Sequence, residues 1–253
     1  MIVMKFGGTS VGNAERIRNT ANIVKSHIKK KPIVVVSAVA KITDMLIKLA
    51  NECSQGKGAN VLLNIKNIHY EILDELNIDK ELLKNDIEEL SILAEKIKSN
   101  KHIDTKTLDE AQSFGEMMSS KIVAEQLTKI GVNAKPFNSW DLGFLTTPEF
   151  GNAEPLEITH TSIKNNIKKL NIVPVITGFI AKTENGEITT LGRGGSDYTA
   201  VIIGAAINTG EIQIWTDVNG IMSTDPKIVK NAKTIEKVSF AEASELAYFG
   251  AKV

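Results

Sequence analysis

The most restrictive feature of the sequence is a short apolar run, Ile2-Val3-Met4-Lys5-Phe6, that ends in Gly7-Gly8. It is followed by Ile17, Ala21, Val24 and Ile28 at helical spacing, and then by a second apolar run over residues 33–37. Lys31-Pro32 closes the helix, and the second run is nearly continuously apolar, as strands buried on both faces of a parallel sheet are. Strand, helix and strand within residues 2–37 make a βαβ unit with a right-handed crossover. The chain is therefore read as α/β, with a parallel sheet at its centre.

The pattern continues along the chain. Strand-like runs return at 133–138, 173–180, 187–191 and 212–216, and helical runs at about 110–129 and 196–208. The 110–129 helix is read as starting around SFGEMMSSK, which would make Glu116 a carboxylate at a helix start. Between Gly58 and residue 110, Gly and Pro almost vanish. Leu62, Ile65, Ile68, Ile72 and Leu76 mark one helix there, and Leu83, Ile87, Leu90, Leu93 and Ile97 another. These are read as an antiparallel helical insertion, 58–110, packed beside the sheet. Glu184-Asn185-Gly186-Glu187 carries the Asn-Gly pair of a tight hairpin.

Composition removes several function classes. The 253 residues hold 30 Lys and Arg against 30 Asp and Glu, a balance that argues against a polyanion-coating or membrane-surface protein. One cysteine, Cys53, forms no internal disulfide, and four histidines leave little material for a zinc site. No apolar run reaches the roughly 18 residues of a membrane span, and MIVMKFGGTS lacks a signal-peptide layout. The expectation is a cytoplasmic protein that handles small ligands, without nucleic acid or membrane as partner. The basic run KSHIKKK reads as a solvated helix end.

Two glycine-rich turns carry the chemistry. In Lys5-Phe6-Gly7-Gly8-Thr9-Ser10, the glycines let backbone approach a ligand and the helix start favours an anion. Lys5 at the strand end adds a mobile point charge. The same residues also fit an ordinary turn with a surface lysine, and they are not a Walker A loop. In Gly192-Arg193-Gly194-Gly195-Ser196-Asp197, Arg193 offers a planar fork to a carboxylate or phosphate, while Ser196 or Asp197 caps the next helix. Capping alone does not explain three glycines in four residues. Gly8-Thr9-Ser10-Val11-Gly12 also matches a nucleophile elbow. A hydrolase is disfavoured, because the late histidine His160 lies in a polar run and no preceding strand supplies an oxyanion amide. Asp217 and Asp225 lack the acidic spacing of a calcium loop.

Taken together, KFGGTSVG, VVVSAVAKIT, SFGE, VITGFI, TTLGRGGSDYTA, IWTDVNGI, STDPKIV and FAEASELAYFGAKV resemble the aspartokinases of the amino-acid kinase superfamily, in the same order. The resemblance implies a three-layer αβα sandwich with a mainly parallel central sheet. It implies one catalytic domain over 1–253, with the helical insertion within it. Family members continue past this point into a Leu-His-Pro turn and regulatory domains, so a shortened or split protein lacking those domains is expected.

The resemblance also implies roles. Lys5, Gly7 and Gly8 form the phosphate-contacting turn, with Ser37 nearby. Thr43, Glu116, Arg193 and Ser196 bind aspartate, Phe179 lines that pocket, and Asp197 organises Lys5 and the phosphate-metal cluster. Thr216, Asp217, Met222, Lys227 and Lys252 fall where the family holds ATP. Met222 stands where some members have Tyr, and Lys227 where many have Arg. The implied activity is ATP-dependent phosphorylation of L-aspartate to 4-phospho-L-aspartate, the first step toward lysine, threonine and methionine. Mg²⁺ would be held mainly by ATP phosphates, with no protein metal site, and the protein would be a homodimer. Rival readings are a kinase of glutamate or carbamate, or a non-catalytic aspartate- or nucleotide-binding subunit. A β-carboxylate of pKa about 3.9 is already a nucleophile at neutral pH and needs no general base.

Overall fold

The computed structural model describes residues 1–217, 220–224 and 228–248. The chain divides into a large unit, Met1–Trp215, and a smaller one, Thr216–Val253. In the large unit, β1 (Ile2–Phe6), β2 (Pro32–Val36), β3 (Ala134–Phe137), β4 (Val173–Thr177) and β7 (Ile212–Trp215) form one sheet in the order β3-β4-β2-β1-β7. All of its pairings are parallel. Pro32, read above as a helix stop, is the first residue of β2, a position where a missing N–H costs the ladder little.

Residue alternation assigns the two faces. Ile2, Met4, Phe6, Val34 and Val36 join a core with α1 (Ala14–Ser26), α2 (Ile42–Ser54) and α5 (Thr105–Lys129). Val3, Ile33, Val35 and Ile176 join a second core with α6 (Ile158–Ile167) and α7 (Gly195–Ala206). Helices, sheet and helices make the three layers.

The expected insertion contains α3 (Ala59–Leu76) and α4 (Lys84–Asn100). Their placement differs from the expectation. They lean chiefly on α1, α2 and α5, one layer out from the strands. The end of α3 is fastened by cations: Lys129 donates to the Leu76 and Asn77 carbonyls at 2.6 Å each, and Arg18 donates to the Glu75 carbonyl. Cations suit the negative end of a helix.

Two other elements depart from the sequence reading. Helix α5 starts before 110, because Asp104 caps it by accepting the Thr107 N–H at 2.7 Å. The 173–180 run does not continue as one strand. It leaves the sheet after Thr177, and β5 (Ile180–Lys182) pairs antiparallel with β6 (Ile188–Thr190) as a separate hairpin. In the smaller unit, Met222 bridges Thr234 in antiparallel fashion, and α8 spans Phe240–Tyr248. None of the described helices is long and apolar enough to cross a membrane.

Candidate active site

Lys5 lies on the same face of β1 as Val3, directed toward the α6–α7 layer, with Val35 and Ile214 as its strand partners. It is buried, and its Nζ stands 2.6 Å from Asp197 Oδ1 in the first turn of α7. Burial of an ammonium calls for such a partner. Of the two readings of Lys5, the surface lysine of an ordinary turn is not what forms, and the point charge expected at the strand end is held in place by Asp197. Nor does Ser196 or Asp197 cap α7, whose N-cap is Gly194 with no side-chain cap. The Asp197 carboxylate turns to Lys5 while remaining at the positive end of the helix.

The end of β4 brings α7 close. A Cβ on Gly178 would fall 2.7 Å from both Cβ and Oγ of Ser196, so only glycine admits the helix start there. Phe179 follows with φ of 65°, a left-handed backbone costing an L-residue on the order of 1–2 kcal/mol. That conformation breaks the strand. It is held by the Phe179 N–H donating to Thr199 Oγ1 at 3.1 Å, while the Thr199 hydroxyl donates to the Gly195 carbonyl at 2.8 Å.

Glu116 comes from the other layer. It sits in the middle of the 25-residue α5, not at a helix start, and is 2% exposed. One oxygen, Oε1, accepts the Ala38 N–H at 3.1 Å, and Oε2 has no partner among the described residues. Close approach of α5 to this segment depends on Gly115, where a Cβ would be 2.7 Å from Ala38 Cβ. Burial raises the Glu116 carboxyl pKa to about 8, against the opposing pull of the Ala38 N–H. A buried acid with one empty oxygen is complementary to a cation that brings its own hydrogens.

These groups meet in one cavity of about 730 Å³. Lys5, Ser37, Asp197 and Ser196 line it, as do Thr43, Glu116, Phe179 and Arg193. Arg193 is exposed and has no hydrogen bond or ion pair among the described residues. Gly7 lies beside Lys5, where a Cβ would be 3.6 Å from Nζ, and Gly8 packs on the next segment, where a Cβ would be 2.9 Å from the Ala38 carbonyl oxygen; neither lines the cavity itself. The cavity thus combines two cations, four carboxylates, of which Asp197 is paired with Lys5 and Glu116 and Asp109 are buried, and two serine hydroxyls. Such a set can orient a small molecule that carries an ammonium and several anionic groups.

Sequence reasoning missed further lining residues, among them Asp44, Asp109, Gln112 and Thr190. Asp109, Gln112 and Glu116 recur at intervals of three and four on α5, one stripe of a helix. A reading that follows only apolar periodicity passes over such a polar stripe.

The expected nucleotide residues belong to the smaller unit. There the Thr216 hydroxyl donates to Asp217 Oδ1 at 3.1 Å, and Met222 occupies its bridge to Thr234. Lys227, Lys252 and Asp225 lie outside the described residues. The elbow-like Ser10 sits in a 3₁₀ turn over Gly8–Val11, and its hydroxyl donates to the Trp215 carbonyl at 3.3 Å instead of meeting a base. Among the described residues, no three His, Cys, Asp or Glu side chains converge on a metal site.

Comparison with known proteins follows the same outline. The model of the amino acid kinase family matches residues 1–253. Aspartokinase 2, chloroplastic, of Arabidopsis thaliana is 40% identical over 99% of this chain and 48% of its own length. Lysine-sensitive aspartokinase 3 of Escherichia coli is 39% identical over 100% of this chain and 57% of its own. The structure of E. coli aspartokinase III in complex with aspartate and ADP superposes with a TM-score of 0.88 at 36% identity, over 99% of this chain and 57% of that one. The chain spans about half the length of these relatives.

Proposed function

From the premise that this chain belongs to the amino acid kinase family, we propose that it phosphorylates the side-chain carboxylate of L-aspartate with ATP, giving 4-phospho-L-aspartate and ADP. The observation that carries the reading is the single cavity that joins the Lys5–Asp197 pair to Glu116 and Arg193. Glu116 Oε2 accepts the α-ammonium, and the Arg193 fork takes the α-carboxylate. Thr43, Ser196 and Phe179 complete the acceptor pocket, which leaves the β-carboxylate to face the phosphate donor.

One β-carboxylate oxygen forms the new bond to the γ-phosphorus as the bond from that phosphorus to the β–γ bridging oxygen breaks. The electron pair leaves on ADP. No proton moves, because the nucleophile is ionised at neutral pH, its reference pKa being about 3.9. What remains is alignment and neutralisation of charge on the phosphoryl oxygens. Lys5 supplies a fixed cation there, and Asp197 holds it on the axis set by β1. The Gly7-Gly8 turn lets backbone approach the phosphates, with Ser37 beside it. Thr216, Asp217, Met222, Lys227 and Lys252 contact the remainder of the nucleotide.

Mg²⁺ accompanies ATP in this reading. ATP phosphate oxygens and water would mainly hold the ion, and Asp197 would organise Lys5 and the phosphate-metal cluster. The ion adds positive charge at the transferring group. In the cell, the reaction feeds lysine, threonine and methionine synthesis in a cytoplasmic setting, and the protein works as a homodimer.

A coupled assay of ADP release with L-Asp, L-Glu and acetylglutamate in parallel tests the assignment. Turnover with L-Asp is expected. Turnover with L-Glu and none with L-Asp would replace the acceptor, and no ADP with any acid would leave a binding subunit.

A further inference from the structure

Asp109 lies two turns before Glu116 on α5 and is buried at 1% exposure, yet no cation among the described residues pairs with it. Its carboxylate is instead shared between two distant segments. Oδ2 accepts the Gly151 N–H at 2.8 Å and the Thr190 N–H at 2.9 Å, and Oδ1 accepts the Thr190 hydroxyl at 2.8 Å. Burying an ionisable group without a counter-ion is costly. Burial pushes the Asp109 carboxyl above its usual range, and the three donors pull it back. A helix residue that merely filled space would carry no such burden.

One of the two segments it holds carries Arg193, and the other packs against it. Thr190 ends β6, and Leu191-Gly192 leads directly to Arg193. Gly151 belongs to the connection before α6, and that connection packs under the turn. A Cβ on Gly192 would meet Asn152 Oδ1 at 2.6 Å and the Gly151 carbonyl oxygen at 3.2 Å. The Ala153 N–H donates to the Thr190 carbonyl at 2.9 Å, and the Leu191 N–H to that of Phe179 at 2.9 Å. The backbone up to residue 192 is thereby fixed, while the Arg193 guanidinium has no hydrogen bond or ion pair among the described residues. Fixing the platform and leaving the fork open lowers the entropy lost when a carboxylate is captured.

We propose that Asp109 is a positioning residue: by holding Thr190 and Gly151 together it sets the turn that presents Arg193 to the α-carboxylate of the acceptor. This rests on the function proposed above. It predicts an effect on acceptor binding that a general structural role would not produce.

The test is steady-state kinetics on the full-length protein, with amide hydrogen exchange at Gly151 and Thr190 as a second readout. Asp109→Ala is expected to raise the KM for L-Asp by about 10-fold or more while the KM for ATP stays within about twofold. Faster exchange at both amides should accompany it. Asp109→Asn keeps an amide oxygen for the two backbone N–H groups and an amide N–H for Thr190 Oγ1, so it should hold the KM within about threefold of wild type. Thr190→Val removes one bond of the three and should fall between. A kcat loss with unchanged acceptor KM, an equal rise in both KM values, an Asn variant no better than Ala, or wild-type protection of both amides in the Ala variant would overturn the inference. If Asp109→Ala does not fold, the ordering of wild type, Asn and Thr190→Val decides by itself. Wild type that turns over L-Glu and not L-Asp defeats the functional reading instead; the same split is then measured with that acid.

Discussion

Helix α5 treats buried acids in two ways along its length. Near its C-terminal half, Lys121 clamps Asp86 of α4 with both carboxylate oxygens at 2.7 Å from Nζ, a closed pair with no capacity left. Toward the cavity, Glu116 receives one backbone N–H, and among the described residues no cation meets it and its second oxygen has no partner. One acid fastens the insertion, and the other waits. Burial of Glu116 carries a cost that Lys121 offsets at Asp86, and under the proposed function the acceptor's ammonium would offset it at Glu116.

That contrast can be broken from several sides. The largest effect is expected away from either acid, at the other end of the cavity. Lys5→Ala removes the fixed cation opposite the phosphoryl group and should lower kcat by about 10²- to 10³-fold or more. Near-normal turnover in that variant would remove Lys5 from the mechanism. Next, Glu116→Gln should raise the KM for L-Asp by about 10²-fold, as expected for losing a buried charge-assisted contact of roughly 3 kcal/mol. The same variant should melt no lower than wild type, because it retains an acceptor for the Ala38 N–H and replaces a carboxyl that burial already keeps largely protonated at neutral pH. If it melts well below wild type, Glu116 is structural and the contrast with Asp86 fails.

Lys121→Met inverts the outcome. It strands Asp86 and should cost about 2 kcal/mol of stability, below the 3–5 kcal/mol of a fully buried pair because a third of the Lys121 side chain is exposed. Kinetic constants per folded molecule should not move. Urea denaturation alongside the ADP assay separates the two.

The effect that grows most gradually is in pH, being smallest over any single pH unit. Glu116 titrates near 8 in the folded chain and near 4.3 when unfolded. The folded state therefore binds the extra proton between those values, and stability contributed through this group falls as pH rises from about 4 to about 8, then levels. Acceptor binding runs the other way. Only ionised Glu116 pairs with an ammonium, so the KM for L-Asp should fall as pH rises toward 8, by at most about 10-fold per unit. A Glu116→Gln variant with the same pH dependence of KM would assign it to another group.

The layers and most of the cavity were legible because they follow from repetition and glycine placement. Continuous apolar runs marked β1, β2 and β4, and the turns KFGG and GRGGSD marked the points where Lys5, Arg193 and Asp197 converge. What escaped depended on contacts between distant segments. The break after Thr177 is set by the left-handed Phe179 and by Ser196 crowding Gly178, neither visible in an unbroken apolar run. The early start of α5 is set by the Asp104 cap, and it turns Glu116 from a helix-end acid into a buried one. Asp109 was overlooked for a similar reason: its meaning lies in Gly151 and Thr190, both far along the chain.

The attachment of α3 and α4 has its own consequence. Their ties run to α1, α2 and α5, and the α3 terminus is held through carbonyls by Lys129 and Arg18, so none of these ties involves strand register. The insertion reaches the sheet chiefly through α1, α2 and α5, and α2 and α5 also carry Thr43 and Glu116 of the cavity. Lineages can therefore recompose the outward faces of this saddle under their own selective pressures, provided that the faces meeting α1, α2 and α5 and the anchored Leu76–Ile78 connection are kept.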